Sequence, residues 1–153
     1  MHVYGGRAAL CFSADETRAG EHTVRIEAAT ATAPKAYAWA DKVALQLTTR
    51  ELPQVLAVVA GLVPALKLSN HGEATDKSAS FQNQAGGKLF VSVWQGKNAR
   101  AVPIMPADVW PVFDLLLKQM LANSPHLTAD AVLTGLRLVS QRYVAAQPSS
   151  TPE

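Results

Sequence analysis

One cysteine in 153 residues excludes an internal disulfide, so the fold must rest on its apolar core, and Cys11 reads as a small buried residue. Metal chemistry has little to draw on: His2, His22, His71 and His126 show no paired ligand spacing, and neither metal nor cofactor is expected. Net charge is also scarce. Fourteen Lys and Arg against twelve Asp and Glu leave a formal +2, too weak for total charge to attract nucleic acid or an anionic membrane, so any anion-binding surface must come from local clustering. No apolar run approaches the roughly 18 residues of a membrane span. Gly5, Gly6 and Arg7 interrupt anything resembling a secretory leader. The expected location is cytoplasmic or nucleoid-associated, without a membrane partner.

Catalytic patterns are absent as well. There is no nucleophile elbow, phosphate loop, dinucleotide fingerprint or zinc spacing, which excludes the commonest enzyme signatures and leaves neither an enzymatic activity nor a small-molecule substrate to expect. Ser69, His71 and Asp76 lie close in sequence, but spacing alone does not build a triad, and they read as a polar strand end and loop.

What the chain does have is apolar residues, 48% of the total, enough at this length for one domain with a real core. Val3–Ser13 alternates with strand period, Tyr4, Gly6, Ala8, Leu10 and Phe12 on one face and Arg7 and Cys11 on the other. His22–Ala29 and Tyr37–Leu47 predict two more strands, the latter with a bulge at Asp41. Thr48 and Glu51 have capping-box spacing ahead of the stripe Leu52, Val55, Leu56, Val59 and Leu62, so a helix should start there and end at Gly61 and Pro64.

The plan then repeats with strands at 66–70, 77–84, 89–95 and 100–105. Gly86 and Gly87 form a hairpin between the middle two, and Pro103 marks the last as an edge or bulged strand. Pro106 opens a second helix that ends near Asn123, and Thr128 a third. Residues 1–124 therefore read as one domain, 125–146 as an appended helix and 147–153 as a disordered tail.

The segment from Lys77 to Ala107 contains Lys77, Lys88, Lys97 and Arg100 and neither Asp nor Glu. Pairing its hairpin about Gly86 and Gly87 places Lys77, Phe81 and Asn83 on the face of Lys88, Phe90, Ser92 and Trp94, leaving Leu89, Val91 and Val93 for a helix. Rings, amides and ammonium groups together suit a surface on which unpaired bases stack while cations hold phosphates. The alternative is that Phe81, Phe90 and Trp94 are core and the charges a solvated rim. Tyr37 and Trp39 between Lys35 and Lys42, and Tyr4 near Arg7, form two further aromatic-basic clusters.

The stretch Val3-Tyr4-Gly5-Gly6-Arg7-Ala8-Ala9-Leu10 resembles the opening Val-Tyr-Lys-Gly-Lys-Ala-Ala-Leu of the plant Whirly single-stranded DNA-binding proteins. In the same order, Tyr37-Ala38-Trp39, the helix after Leu47, Lys77-Ser78, the Phe90–Gln95 strand and Val102-Pro103-Ile104 resemble later Whirly segments. The resemblance covers about Val3–Leu121. It implies an α+β fold of two antiparallel four-stranded sheets, each followed by a helix, in a homotetramer joined through its helices, with a third helix beyond the family core.

It also implies largely sequence-independent binding of single-stranded DNA, or RNA as in kinetoplastid relatives of the fold, in transcription or genome maintenance and repair. Gly5 replaces the first Lys of the family motif, and Arg7 its second. On this reading Tyr4, Tyr37, Trp39, Phe81, Phe90 and Trp94 stack bases, and Arg7, Lys42, Lys77, Lys88, Lys97 and Arg100 meet phosphates. An oligomeric scaffold that has lost nucleic-acid binding is the rival, with the +2 charge as its best support.

Overall fold

The computed structural model describes residues 1–147. The first sheet is built from β1 (His2–Tyr4), β2 (Ala8–Glu16), β3 (His22–Ala33), β4 (Ala36–Tyr37) and β5 (Val43–Gln46), all antiparallel, with β4 and β5 both pairing with β3. After α1 (Glu51–Val59) comes a four-stranded meander of β6 (Ala65–His71), β7 (Lys77–Asn83), β8 (Leu89–Gln95) and β9 (Asn98–Ile104), then α2 (Pro106–Asn123) and α3 (Ala129–Ala146). The α+β plan of two antiparallel sheets, each followed by a helix, is as expected, and the two-residue β4 raises the first sheet to five strands.

Two expected strands are each two. Val3–Ser13 is broken at Gly5-Gly6-Arg7, where the Gly5 amide donates to the Ala8 carbonyl at 2.8 Å and the chain turns back, pairing Val3 with Leu10. Tyr4 therefore lies opposite Ala9, on the face away from Leu10, and not with it. Tyr37–Leu47 is divided by a 3₁₀ turn at Trp39–Asp41 rather than bulged at Asp41. In both places a local turn competes with strand alternation and wins because the backbone groups it removes from the ladder find partners within the turn.

The helix signals are realised as written. Thr48 Oγ1 accepts from the Glu51 amide at 3.2 Å, and Glu51 carboxylate accepts from the Thr48 amide at 2.9 Å, the reciprocal capping box. At the other end Gly61 takes φ 80°, a left-handed cap that a Cβ would disfavour, and the Leu62 amide reaches the Ala57 carbonyl at 2.9 Å. Pro106 begins α2, and Thr128 caps α3 through the Ala131 amide. The expected tail beyond Gln147 lies outside the described residues.

The core joins the inner faces of both sheets to α1 and α2. Leu10, Phe12, Ile26 and Val43 from the first sheet and Phe81, Leu89, Val91 and Ile104 from the second are fully buried, each such side chain stabilising by about 1.5–3 kcal/mol. α2 lies across β2 and β3, α1 lies against β6 and β7, and β9 meets the first sheet. Two amides tie α2 in place: Gln119 donates to the Thr23 carbonyl at 2.7 Å, and Asn123 both accepts from and donates to the His22 backbone at 2.7 Å. Helices thus cover the inner faces, leaving the outer faces of both sheets open.

Candidate nucleic-acid interface

On the outer face of the first sheet, the turn at Gly5–Arg7 folds β1 back beside β2 and lines up His2 and Tyr4, two residues apart on one strand face. Tyr37 of β4 and Trp39 of the following turn arrive from the other side of the sheet. The rings form one cluster: His2 stacks on Tyr4 at 5.8 Å with a 5° interplanar angle, Trp39 meets His2 edge-on at 5.6 Å, and Tyr37 lies 5.5 Å from Tyr4. Such spacings are those of favourable aromatic pairs.

Tyr37 is fixed because its hydroxyl donates to the Gly5 carbonyl at 2.8 Å, whereas Tyr4 is 62% exposed and presents its ring to solvent. Tyr4, Lys35 and Tyr37 line a cavity of about 420 Å³, and Arg7 is exposed in the neighbouring turn.

Cations on this face are partly neutralised. Lys42 Nζ lies 2.5 Å from the Glu27 carboxylate, and Arg25 Nε lies 4.0 Å from it. At the far end of β2, the Gln46 amide donates to Asp15 at 3.0 Å. That bond and then the Glu16 backbone amide hold the Asp15 carboxyl below its ordinary range against the opposing effect of burial, with the Arg25 charge adding least.

The second sheet corrects the expected faces. Asn83 pairs with Leu89 and Phe81 with Val91, because the connection runs through the five residues Gln84–Lys88 and not through a two-residue Gly86-Gly87 turn. That one-residue slip moves every β7 side chain to the other face relative to β8. Phe81 is 1% exposed in the core and has no ring face free for a base. Lys77 shares its inward face and donates to the Ala44 carbonyl of β5 at 3.0 Å, its stem crossing Gly72, where a Cβ would come within 3.2 Å of it.

Arg100 pairs with Val93, faces inward, and reaches the Asp41 carbonyl only at 3.5 Å, with its Nε lacking a hydrogen-bond partner. Lys77 and Arg100 therefore bridge the two sheets and do not share a face with Phe90 and Trp94.

Phe90 and Trp94 are half-buried on the outer face with Ser78, Ser80, Gln82 and Ser92. Lys88 and Lys97 are exposed in the two connecting turns at opposite ends of β8, and Lys67 opposes Ser80 from β6. Of the expected set, the structure gathers Tyr4, Tyr37, Trp39 and Lys42 on one face, with Arg7 exposed in the adjoining turn, and Phe90, Trp94, Lys88 and Lys97 on the other sheet.

His2 was missed as a ring of the first cluster. Its position two residues before Tyr4 was the available signal, masked by reading Val3–Ser13 as one strand. Cys11, next to His2 in the register, is half-buried rather than core. His71 meets Glu51 at 2.8 Å, so this pair, and not Ser69 or Asp76, is its hydrogen-bonded company. Among the described residues no three His, Cys, Asp or Glu side chains cluster as a metal site, and no helix is long and apolar enough to cross a membrane.

The helical side is different in kind. Trp110, 67% exposed, tilts against Phe113 at 5.3 Å, and together with Val59, Leu62, Val109 and Leu133 these rings border an apolar groove of about 430 Å³ with Arg137 at its edge.

No family model matches the sequence, and no curated protein matches it. Among solved structures the chain is similar to WHY1 of Arabidopsis thaliana, 15% identical over 86% of this chain and 94% of that one, with a TM-score of 0.57. WHY3 of the same plant is 14% identical over 95% of this chain and 94% of its own, also at 0.57. The plant transcriptional regulator PBF-2 is 16% identical over 99% of this chain and 88% of its own, at 0.56, a span that takes in α3. These similarities are of fold, and they agree with the resemblance read from the sequence: the chain has the Whirly fold.

Proposed function

We propose that the protein binds single-stranded nucleic acid, DNA in preference to RNA, largely without regard to sequence, and that it does so as a homotetramer and not as an enzyme. The observation that carries this reading is the ring cluster of His2, Tyr4, Tyr37 and Trp39 on an open sheet face, with Arg7, Lys35 and Lys42 around it. Every base has a π-face, so stacking on such rings, about 1–3 kcal/mol per base, is tolerant of sequence. Paired bases in a duplex keep their faces stacked on one another and cannot use it. Phe90 and Trp94 offer a second platform on the other sheet, with Lys88 and Lys97 as phosphate partners. The shared fold with a plant transcriptional regulator supports a nucleic-acid role.

The exposed apolar side chains of α2 and α3, Trp110 and Leu138 foremost, support assembly through the helices, since burying them against other copies removes that surface from water. Light scattering should give a tetramer, and a monomer at working concentration refutes that part. Titrating labelled oligo-dT, duplex DNA and single-stranded RNA at two salt concentrations tests the binding. Salt-sensitive affinity for oligo-dT above duplex is expected. Absence of single-strand binding at micromolar protein favours the scaffold reading.

A further inference from the structure

The rings of the first sheet sit beside a cation pair that already holds an anion. Glu27 lies in the middle of β3, opposite Cys11 of β2 and Ala44 of β5, both neutral. Its carboxylate faces Lys42 at 2.5 Å and Arg25 at 4.0 Å. The carboxylate side chain is 15% exposed while the two cations are 42% and 44% exposed. Its Oε2 is shielded from solvent and meets its partners as an ion pair rather than through an aligned hydrogen bond. Lys42 also follows directly on the turn that carries Trp39, its amide donating to the Trp39 carbonyl at 3.3 Å. The cation best placed to hold a phosphate next to a stacked base is thus the one most fully engaged by an internal carboxylate.

We infer that Glu27 is a built-in competitor for phosphate: it occupies Lys42 and Arg25 and lowers the affinity of the first sheet for a polyanionic strand. This inference rests on the nucleic-acid reading above and deepens it. A phosphodiester approaching Trp39 must displace the carboxylate or accept a face carrying one net positive charge from this triad instead of two. Arg25 also feels the Asp15 carboxylate, so Lys42 is the cation that loss of Glu27 frees most. Lys35, for which no ion pair exists among the described residues, is the internal contrast. A charge whose removal strengthens binding separates this role from a structural one, because a damaged sheet weakens it.

The test is fluorescence anisotropy of labelled oligo-dT with the wild-type protein and Glu27→Gln at low and high salt, with thermal unfolding as the fold control. Glu27→Gln should bind about three- to tenfold more tightly at low salt, with the advantage fading as salt screens the pair. The salt dependence should steepen by about one unit of slope. Lys42→Met should weaken binding in both backgrounds, and by more in Glu27→Gln, where Lys42 is free to contact the phosphate directly. Equal or weaker binding by folded Glu27→Gln overturns the inference while wild-type binding leaves the parent reading standing, and no binding by either protein overturns both. Should Glu27→Gln fail to fold, Glu27→Ser in the same titrations decides. Tighter binding than wild type by that variant supports the competitor role, and equal or weaker binding by the folded variant refutes it.

Discussion

The two sheets are both antiparallel, both followed by a helix, and both open on their outer faces, yet they assemble their aromatic surfaces in opposite ways. The second sheet is regular: Phe90 and Trp94 share a face because they are four residues apart on one strand, and serines and a glutamine fill the space between and beside them. The first sheet is irregular. Its rings come from three segments, brought together by the turn at Gly5–Arg7 and the 3₁₀ turn at Trp39–Asp41. Irregular backbone can gather rings into mutual contact where pure alternation only lines them up. It also brings Glu27 against Lys42, so the richer aromatic surface is the one whose charge is restrained.

The sharpest way to break this comparison is within the second sheet. Phe81→Ala should remove about 3–5 kcal/mol of stability, because it empties a filled core position, and chemical denaturation measures it. Phe90→Ala should cost about 1 kcal/mol or less in the same assay. Equal destabilisation by both would mean that the outer face is as packed as the inner.

Next in size are the platforms themselves. Trp39→Ala should weaken oligo-dT binding by about 1–3 kcal/mol in anisotropy titrations, and Trp94→Ala should weaken it by less, since Trp94 has no ring neighbour among the described residues. A larger effect at Trp94 would reverse the ranking of the two sheets.

Among the cations the contrast is between faces. Lys88→Gln and Lys97→Gln should each lower the salt slope of binding by about one while leaving the unfolding midpoint in place. Lys77→Met should do the reverse, lowering stability by about 0.5–1.5 kcal/mol through the lost bond to Ala44 with little change in salt slope. A Lys77 variant that flattens the slope would restore it to the phosphate set.

The smallest effect concerns the helical side. Burial raises the Tyr143 phenol above its ordinary value, so the neutral form is favoured in the folded protein. Stability from this group is complete below the unfolded phenol pKa and is lost as pH rises through the folded one. A spectrophotometric titration should find one tyrosine ionising later than in the unfolded chain.

Much of the fold was legible in local chemistry. The capping box at Thr48 and Glu51, Gly61 at the end of α1, Pro106 at the start of α2 and the Leu89–Gln95 strand are all interactions within a few residues, so the sequence contains both partners. The site was legible in composition and less so in geometry. A two-residue turn would put Lys77, Phe81 and Asn83 beside Phe90 and Trp94, and the longer loop reverses their face.

What the amino-acid order decided alone was the kind of surface available: scarce charge, rings on strands, and a stretch free of acid between Lys77 and Ala107. What tertiary structure decided was which of those groups remain free. Glu27 and Lys42 are fifteen positions apart, and Lys77 and Ala44 thirty-three, so only the strand register could bring each pair together. A side chain's own chemistry sets what it can bind, but its nearest partner sets whether it is still available. That partner is chosen by register, where a slip of one residue exchanges the two faces of a strand.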